Sequence, residues 1–255
     1  MLSDVCQPAS PRSPRPANIV QALIARVPPF SAASPSARAA FVAGARRIRL
    51  RGGELAFRAN DTPRGFMFVA RGIIKLVRSR CGRSAIPELF GPGEAVGVAF
   101  ALREKPYPVD AVALTPTAEV IEIPRLDVVE RAKHEPAFAL ALAEACAERA
   151  ARMLDAYAIL AAGGTEARLA ALLVDLSERF GDVDDEGLLR VPVSLSRAEL
   201  AACICTTTET VIRLMSRWAR EHFVATTSDG FVVYDADRLR KVAEPLHLRA
   251  RREVV

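Results

Sequence analysis

The sequence predicts an α+β protein with an N-terminal double-sheet β jelly roll, one long helix and a C-terminal winged helix-turn-helix. Three observations carry this expectation. Between residues 46 and 124, short β-compatible runs recur at roughly ten-residue spacing, separated by glycine, proline and asparagine turns. Residues 136–162 then form an unbroken stretch rich in alanine and leucine, ended by Gly163-Gly164. Finally, Leu195 to Leu214 reads as a short helix, a tight polar turn and a second helix, with a β-hairpin signal beyond it.

Bulk properties agree with this architecture. A chain of 255 residues can build two cores, and 51% apolar with 25% charged residues is ordinary globular composition. The net charge of +5 favours an anionic partner, weakly on its own. Cysteines at 6, 81, 146, 203 and 205 form no CxxC pair and no disulfide-scaffold spacing, which predicts reduced thiols. The first 17 residues lack an apolar core segment and no long uncharged apolar run follows, so neither a secretory signal nor a membrane span is expected. The expected location is cytoplasmic. The tract Ser10-Pro11-Arg12-Ser13-Pro14-Arg15-Pro16 cannot bury enough surface to fold, and residues 1–17 are expected to be a disordered tail.

Each element has its own signal. Asn18–Val27 and Ser36–Ala45 read as helices, the second started by Ser34 as cap with Pro35 behind it. Strands are expected at Arg47–Leu50, Leu55–Arg58, Gly65–Ala70, Ile73–Arg80, Ala85–Phe90, Ala95–Val98, Asp110–Leu114 and Glu119–Ile123. Gly52-Gly53, Asn60-Asp61-Thr62-Pro63, Arg71-Gly72, Cys81-Gly82 and Gly91-Pro92-Gly93 supply turns between them. In the long helix, Phe138, Leu142, Cys146, Met153, Tyr157 and Leu160 form one apolar stripe. That stripe serves equally to pack on the barrel or to pair with a second subunit. Thr165–Phe180 is an amphipathic helix with Leu169, Leu172, Leu173, Leu176 and Phe180 inward, followed by an acidic loop, Gly181–Gly187, and a strand, Leu189–Leu195. Val224–Thr227 and Phe231–Tyr234 flank Asp229-Gly230, a preferred tight-turn pair, and make a two-stranded wing. The expected domains are 18–135, a connecting helix with hinge at 136–164, 165–236, and a basic extension at 237–255.

The chemistry concentrates on the second helix of the helix-turn-helix. Ser196 is placed to cap the first helix, and Thr206 with Glu209 matches the Thr-x-x-Glu capping box of the second. Val211, Leu214, Met215 and Trp218 form the face to be buried, leaving Thr208, Glu209, Ile212, Arg213, Ser216, Arg217 and Arg220 outside. Arg213 can donate two hydrogen bonds to guanine O6 and N7, and Glu209 can accept from the exocyclic amine of cytosine. On a lone helix this i, i+4 pair would be an ordinary solvated ion pair. With a turn before it and a wing behind it, a DNA-reading surface is the stronger expectation. The candidate contacts to double-stranded DNA are Ser196, Thr206, Thr207, Thr208, Glu209, Ile212, Arg213 and Arg217.

At these residues the chain resembles the Crp/Fnr superfamily, the cyclic-AMP receptor protein and fumarate-nitrate regulator group. The resemblance runs from about residue 19 to 234. It is carried by Arg51-Gly52-Gly53-Glu54-Leu55-Ala56-Phe57, by the run from Phe66 to Lys75, and by Phe90-Gly91-Pro92-Gly93-Glu94-Ala95-Val96-Gly97. Val120-Ile121-Glu122-Ile123-Pro124 and Glu209-Thr210-Val211-Ile212-Arg213 complete it. It implies a cyclic-nucleotide-binding-type jelly roll, a dimerisation helix over 136–164 whose stripe Phe138, Leu142, Cys146, Met153, Tyr157 and Leu160 would be the dimer interface, homodimers on pseudo-palindromic DNA, and RNA polymerase as partner if the protein is an activator.

Departures from the family pattern are informative. Cyclic-AMP binders of the family hold the ribose and phosphate with a Gly-Glu-Leu turn and an Arg-Ser pair. Here Gly97 stands where the glycine is expected, but Val98 replaces the glutamate and Pro108-Val109 aligns with Arg-Ser. A buried phosphate would lose its charge-assisted partner, so no cyclic AMP is expected in the usual mode. Iron-sulfur members use a group of N-terminal cysteines and one in the barrel; this chain has Cys6 alone near its start and Ile121 at the barrel position. His134, His222 and His247 lie outside the barrel strands; haem stays open as a cofactor because other axial ligands can hold it. No metal is expected, and a histidine-free barrel segment speaks against a cupin-like enzyme. Cys205 stands where glycine is typical, and Ile212 where Fnr-like members tend to carry serine. For Cys203 and Cys205 a structural role is favoured over a redox one. Glu209 and Arg213 match the family, which implies a TGA-type half-site core.

Overall fold

The computed structural model describes residues 16–80 and 83–243. The expected tail up to residue 15, Cys6, the Cys81-Gly82 turn, His247 and the extension beyond residue 243 lie outside the described residues.

Two helices precede the barrel, α1 (Pro16–Arg26) and α2 (Pro35–Gly44), with a 3-10 turn at Phe30–Ala32 between them. The Ser34 hydroxyl accepts the Ala37 N–H at 3.2 Å, with Pro35 in the first turn, as its sequence context predicts. Ser34 is fixed a second time from far along the chain: its N–H and hydroxyl donate to the Glu135 carboxylate at 2.9 and 2.7 Å.

The barrel follows as β1 (Arg46–Arg51), β2 (Leu55–Phe57), β3 (Gly65–Arg71), β4 (Ile74–Arg80), β5 (Arg83–Phe90), β6 (Ala95–Val96), a short α3 (Val98–Arg103), β7 (Asp110–Ala113) and β8 (Thr117–Pro124). These form two four-stranded antiparallel sheets, ordered β1-β8-β3-β6 and β2-β7-β4-β5, the double-sheet jelly roll the turn spacing predicts. One expected strand is cut short. The run Ala95–Val98 ends at Val96 because Gly97 turns into the left-handed region, φ +72°, and starts α3. A second helix, α4 (Arg125–His134), is absent from the sequence expectation. It opens directly behind Pro124 and buries Val128 alone completely, so its apolar stripe is faint.

The long helix α5 (Pro136–Ala162) and α6 (Thr165–Phe180) have the expected bounds. Then come β9 (Asp182–Val183), β10 (Leu189–Val191), α7 (Arg197–Cys203), α8 (Thr208–Arg220), β11 (Val224–Thr226) and β12 (Phe231–Val233). The sheet order is β11-β12-β10-β9: the expected two-stranded wing forms, with β11 paired to β12, and β10 and the short β9 extend it to a four-stranded sheet. Strand β10 stops at Val191, four residues earlier than expected, because Pro192 has no N–H to continue the ladder. The winged-helix domain also extends past its expected end at residue 236. A helical segment at 236–243 buries Leu239 and Ala243 in the domain core, so this part of the anticipated basic extension is structural.

That core joins Leu169, Leu173 and Leu176 of α6, Leu200 of α7, Trp218 of α8 and Phe231 of the wing. It does not stop at the domain edge: Ile73, Ile86 and Leu89 of the barrel pack into the same cluster. Helix α7 is thereby seated on β5.

Candidate nucleic-acid interface

Helix α7 starts with a complete capping box. The Ser196 hydroxyl accepts the Glu199 N–H at 3.2 Å, and the Glu199 carboxylate accepts the Ser196 N–H at 2.8 Å. The pattern Ser196-x-x-Glu199 is itself a capping-box signal in the sequence, beyond the cap expected at Ser196 alone. The box expected at Thr206 and Glu209 is not formed. Thr206 N–H is tied back to the Ala201 carbonyl at 3.0 Å, closing the turn, so the helix begins one residue later. Thr207 is the cap of α8, its hydroxyl accepting the Thr210 N–H at 3.3 Å. Between the helices, Cys205 adopts φ +52°, a conformation that suits glycine, and is exposed.

On α8 the buried side is Val211, Leu214, Met215 and Trp218. Glu209, Arg213, Ser216 and Arg220 are exposed, Thr208 is half-buried, and Ile212 remains 48% exposed. Among the described residues Glu209 and Arg213 make no ion pair with each other or with any neighbour, contrary to their i, i+4 spacing; both keep their hydrogen-bonding capacity for a partner. Arg217 differs from the expected free stripe. It donates to Glu166 of α6 and lies 3.9 Å from Glu221. Glu166 also accepts the Trp218 indole N–H at 3.0 Å. Burial acts to raise the Glu166 carboxyl, but the bonds from Arg217 and Trp218 outweigh it and hold the group below the usual carboxylate range. Arg197, which the sequence reading passed over, donates to Thr226 of the wing at 2.6 Å and joins α7 to β11.

Glu199 has a second role. Its other carboxylate oxygen accepts from Lys75 of β4, so the residue capping α7 also ties that helix to the barrel. Burial works against the Glu199 carboxylate, yet Lys75 and Ser196 together keep it below the usual range. A second tie lies nearby: Arg179 of α6 donates to Glu94 at 2.7 Å and to the Leu89 carbonyl at 2.6 Å. The neighbouring Cys203 thiol is pushed up to about 12, chiefly by burial and further by Glu199. It is therefore protonated and a poor nucleophile at neutral pH.

The stripe on α5 divides. Phe138 and Leu142 are consumed by the chain's own core, Phe138 lying 5.5 Å from Phe41 and 6.1 Å from Phe30 between ring centroids. These two residues are thus corrected from interface to core, because the N-terminal helices, held through Glu135, cover that end of α5. Cys146 and Leu160 are half-buried, while Met153 and Tyr157 stand 59% and 70% exposed beside Leu154.

In the barrel, Gly97, Val98 and Val109 are half-buried, Val98 packing against the cluster of the N-terminal helices, and Pro108 is exposed. The residue that stands out there is Tyr107, fully buried and stacked on Phe57. His134 and His222 are both exposed and belong to no barrel strand.

Residues 47–134 match the cyclic nucleotide-binding domain, and residues 167–242 match the Crp-like helix-turn-helix domain. The transcriptional regulatory protein btr of Bordetella pertussis is 30% identical over 183 residues, 70% of this chain and 73% of that protein. The chain belongs to the Crp/Fnr family. Across more of its length this Crp/Fnr regulator is similar to the CRP-like cAMP-activated global transcriptional regulator of Mycobacterium tuberculosis, 23% identical over 222 residues, 87% of this chain and 98% of that one. Its fold matches the structure of FixK2 from Bradyrhizobium japonicum with a TM-score of 0.68 at 19% identity, covering 78% of this chain and 96% of that one. Crp/Fnr membership makes it a transcriptional regulator with a helix-turn-helix DNA-binding domain. Among the described residues no helix is long and apolar enough to cross a membrane.

Proposed function

We propose that this regulator binds pseudo-palindromic DNA as a homodimer in the cytoplasm, reading a TGA-type half-site core with Glu209 and Arg213, without cyclic AMP bound in the usual mode. One observation carries the reading: Glu209 and Arg213 stand exposed on α8 with no ion-pair partner among the described residues, framed by the Cys205 turn and the wing. A guanidinium held this way can meet guanine O6 and N7, and the carboxylate can meet a cytosine amine. Ile212, exposed between them, suits a thymine methyl and sets the flanking preference. Thr207 and Thr208 at the N-terminus of α8, with the Thr206 hydroxyl before them, suit a phosphate, whereas the N–H and hydroxyl of Ser196 are spent on Glu199.

Pairing of two copies is supported by Met153, Leu154 and Tyr157, three large apolar side chains exposed on one length of α5. Two copies related by a two-fold axis would place their α8 helices on successive major grooves. Where the regulator activates transcription, RNA polymerase is the further partner. Independence from cyclic AMP is supported by Val98 and Pro108-Val109, which offer neither carboxylate to a ribose nor guanidinium to a phosphate.

The test is a gel shift with purified protein on a duplex carrying two TGA half-sites one helical turn apart, with no nucleotide added. Specific retention, lost when the core guanine is changed, is expected. Equal affinity for random DNA would overturn the reading, and calorimetric binding of cyclic AMP at micromolar affinity would overturn the independence.

A further inference from the structure

The interior of the barrel holds an aromatic side chain at the place where the resemblance puts the effector. Tyr107 is 2% exposed and belongs to the cluster of Leu50, Phe57, Met67, Phe90 and Val96 that fills the space between the two sheets. Its ring lies parallel to Phe57 with centroids 3.6 Å apart, and Phe100 meets it edge-on at 6.2 Å. Gly97 gives way to it: a Cβ there would sit 2.7 Å from the Tyr107 ring. The backbone is fastened as well. Tyr107 N–H donates to the Asp61 carbonyl at 3.0 Å, and its own carbonyl accepts the Asn60 N–H at 2.8 Å. Pro106 and Pro108 on either side restrict the backbone further.

We propose that Tyr107 is a built-in plug, whose ring replaces a small-molecule effector and holds the segment from Gly97 to Val109 in a single conformation. The proposal rests on the reading of this barrel as independent of cyclic AMP, and goes further by naming what occupies the site. The hydroxyl supports the ring, not the phenol, as the working part. Its oxygen is buried with no hydrogen-bond partner among the described residues, an unfavourable arrangement that the packing of the ring offsets. Burial also holds the hydroxyl far above its ordinary pKa, so it stays neutral and offers no charge to a ligand. Helix α3 and strand β6 approach the ring through Gly97, and β2 approaches it through Phe57. Loss of the ring would therefore loosen both sheets where they meet.

The experiment compares the full-length protein with Tyr107→Phe and Tyr107→Ala, each alone, with cyclic AMP and with p-cresol, a molecule of the tyrosine side chain's shape. Thermal midpoint and affinity for the palindromic duplex are both read. The parent protein is expected to respond to neither compound. Tyr107→Phe keeps the ring and should match or exceed the parent midpoint. Tyr107→Ala should melt roughly 5–15 °C lower and bind DNA roughly tenfold more weakly. Millimolar p-cresol should return a large part of both losses. Should the alanine variant fail to fold, Tyr107→Leu keeps apolar volume without the stack and takes its place. A rise of the parent midpoint with cyclic AMP would overturn the plug, as would an alanine or leucine variant with parental midpoint. A loss that p-cresol leaves unchanged would overturn it too. If no variant, parent included, binds the duplex, the DNA reading fails while the thermal measurements still decide the plug.

Discussion

Helix α8 and the barrel interior treat their functional side chains in opposite ways. On α8, Glu209, Arg213 and Ser216 stand outside the core, and the first two have no partner among the described residues. In the barrel, the segment between Gly97 and Val109 is closed over by Tyr107, Phe57 and Phe100, which satisfy one another through packing. On the reading proposed above, the surface of α8 is open because a DNA-reading group must keep its hydrogen-bonding capacity for the bases. The barrel interior is filled because an unfilled apolar cavity would cost dispersion contacts on every wall. Glu199 stands between the two, capping the helix-turn-helix and holding Lys75 of the barrel.

The comparison breaks most severely if the α8 scaffold is removed. Trp218→Ala should cost about 3–5 kcal/mol in urea unfolding, since the indole is fully buried and its N–H bonds Glu166. Because Ile73, Ile86 and Leu89 share that core, the loss should be visible in the barrel's melting as well. Arg213→Ala probes the open surface alone: discrimination at the core guanine should fall by about 1–3 kcal/mol with unfolding unchanged. Competition between the parent duplex and one with the guanine replaced measures this. Arg217→Ala should leave discrimination intact and lower the salt slope by less than about 1, because its guanidinium is already engaged by Glu166 and Glu221, as read from affinities at several salt concentrations.

The joint between the regions is pH-sensitive with a definite sign. Glu199 sits below the usual carboxylate range in the folded protein, because Lys75 and Ser196 outweigh the effect of burial. Its contribution is fully present above the unfolded value of about 4.3 and is lost as pH falls through the lower folded value. Thermal midpoints across that acid range should therefore drop less steeply for Glu199→Gln than for the parent. The smallest effect is expected at the turn. Cys205→Gly relieves a left-handed residue of its side chain and should change stability by no more than about 1 kcal/mol in urea unfolding, upward in sign.

Much of the architecture was legible before any coordinates. Eight strands, α5, α6, the helix-turn-helix and its hairpin follow from hydrophobic period and turn residues, which are local properties. The faces of α8 follow from the same periodicity, and Glu209, Ile212 and Arg213 emerged where their spacing placed them. Helices α3 and α4 carry no clear local signal, because one is six residues long behind a left-handed glycine and the other buries Val128 alone completely. Thr207 instead of Thr206 as cap, and the tie of Arg217 to Glu166, depend on which backbone groups were already engaged.

What the sequence determined by itself was the order of the strands and long helices, the family and which residues of α8 face outward, because these rest on residue types at short spacings. Tertiary structure alone decided three further matters. It assigned Phe138 and Leu142 to the chain's own core, since the covering helices come from 100 residues earlier in the chain. It joined Lys75 to Glu199 across the domain boundary. And it stacked Tyr107 on Phe57 inside the barrel, a contact between distant residues that no local pattern encodes and that only the closing of the two sheets brings together.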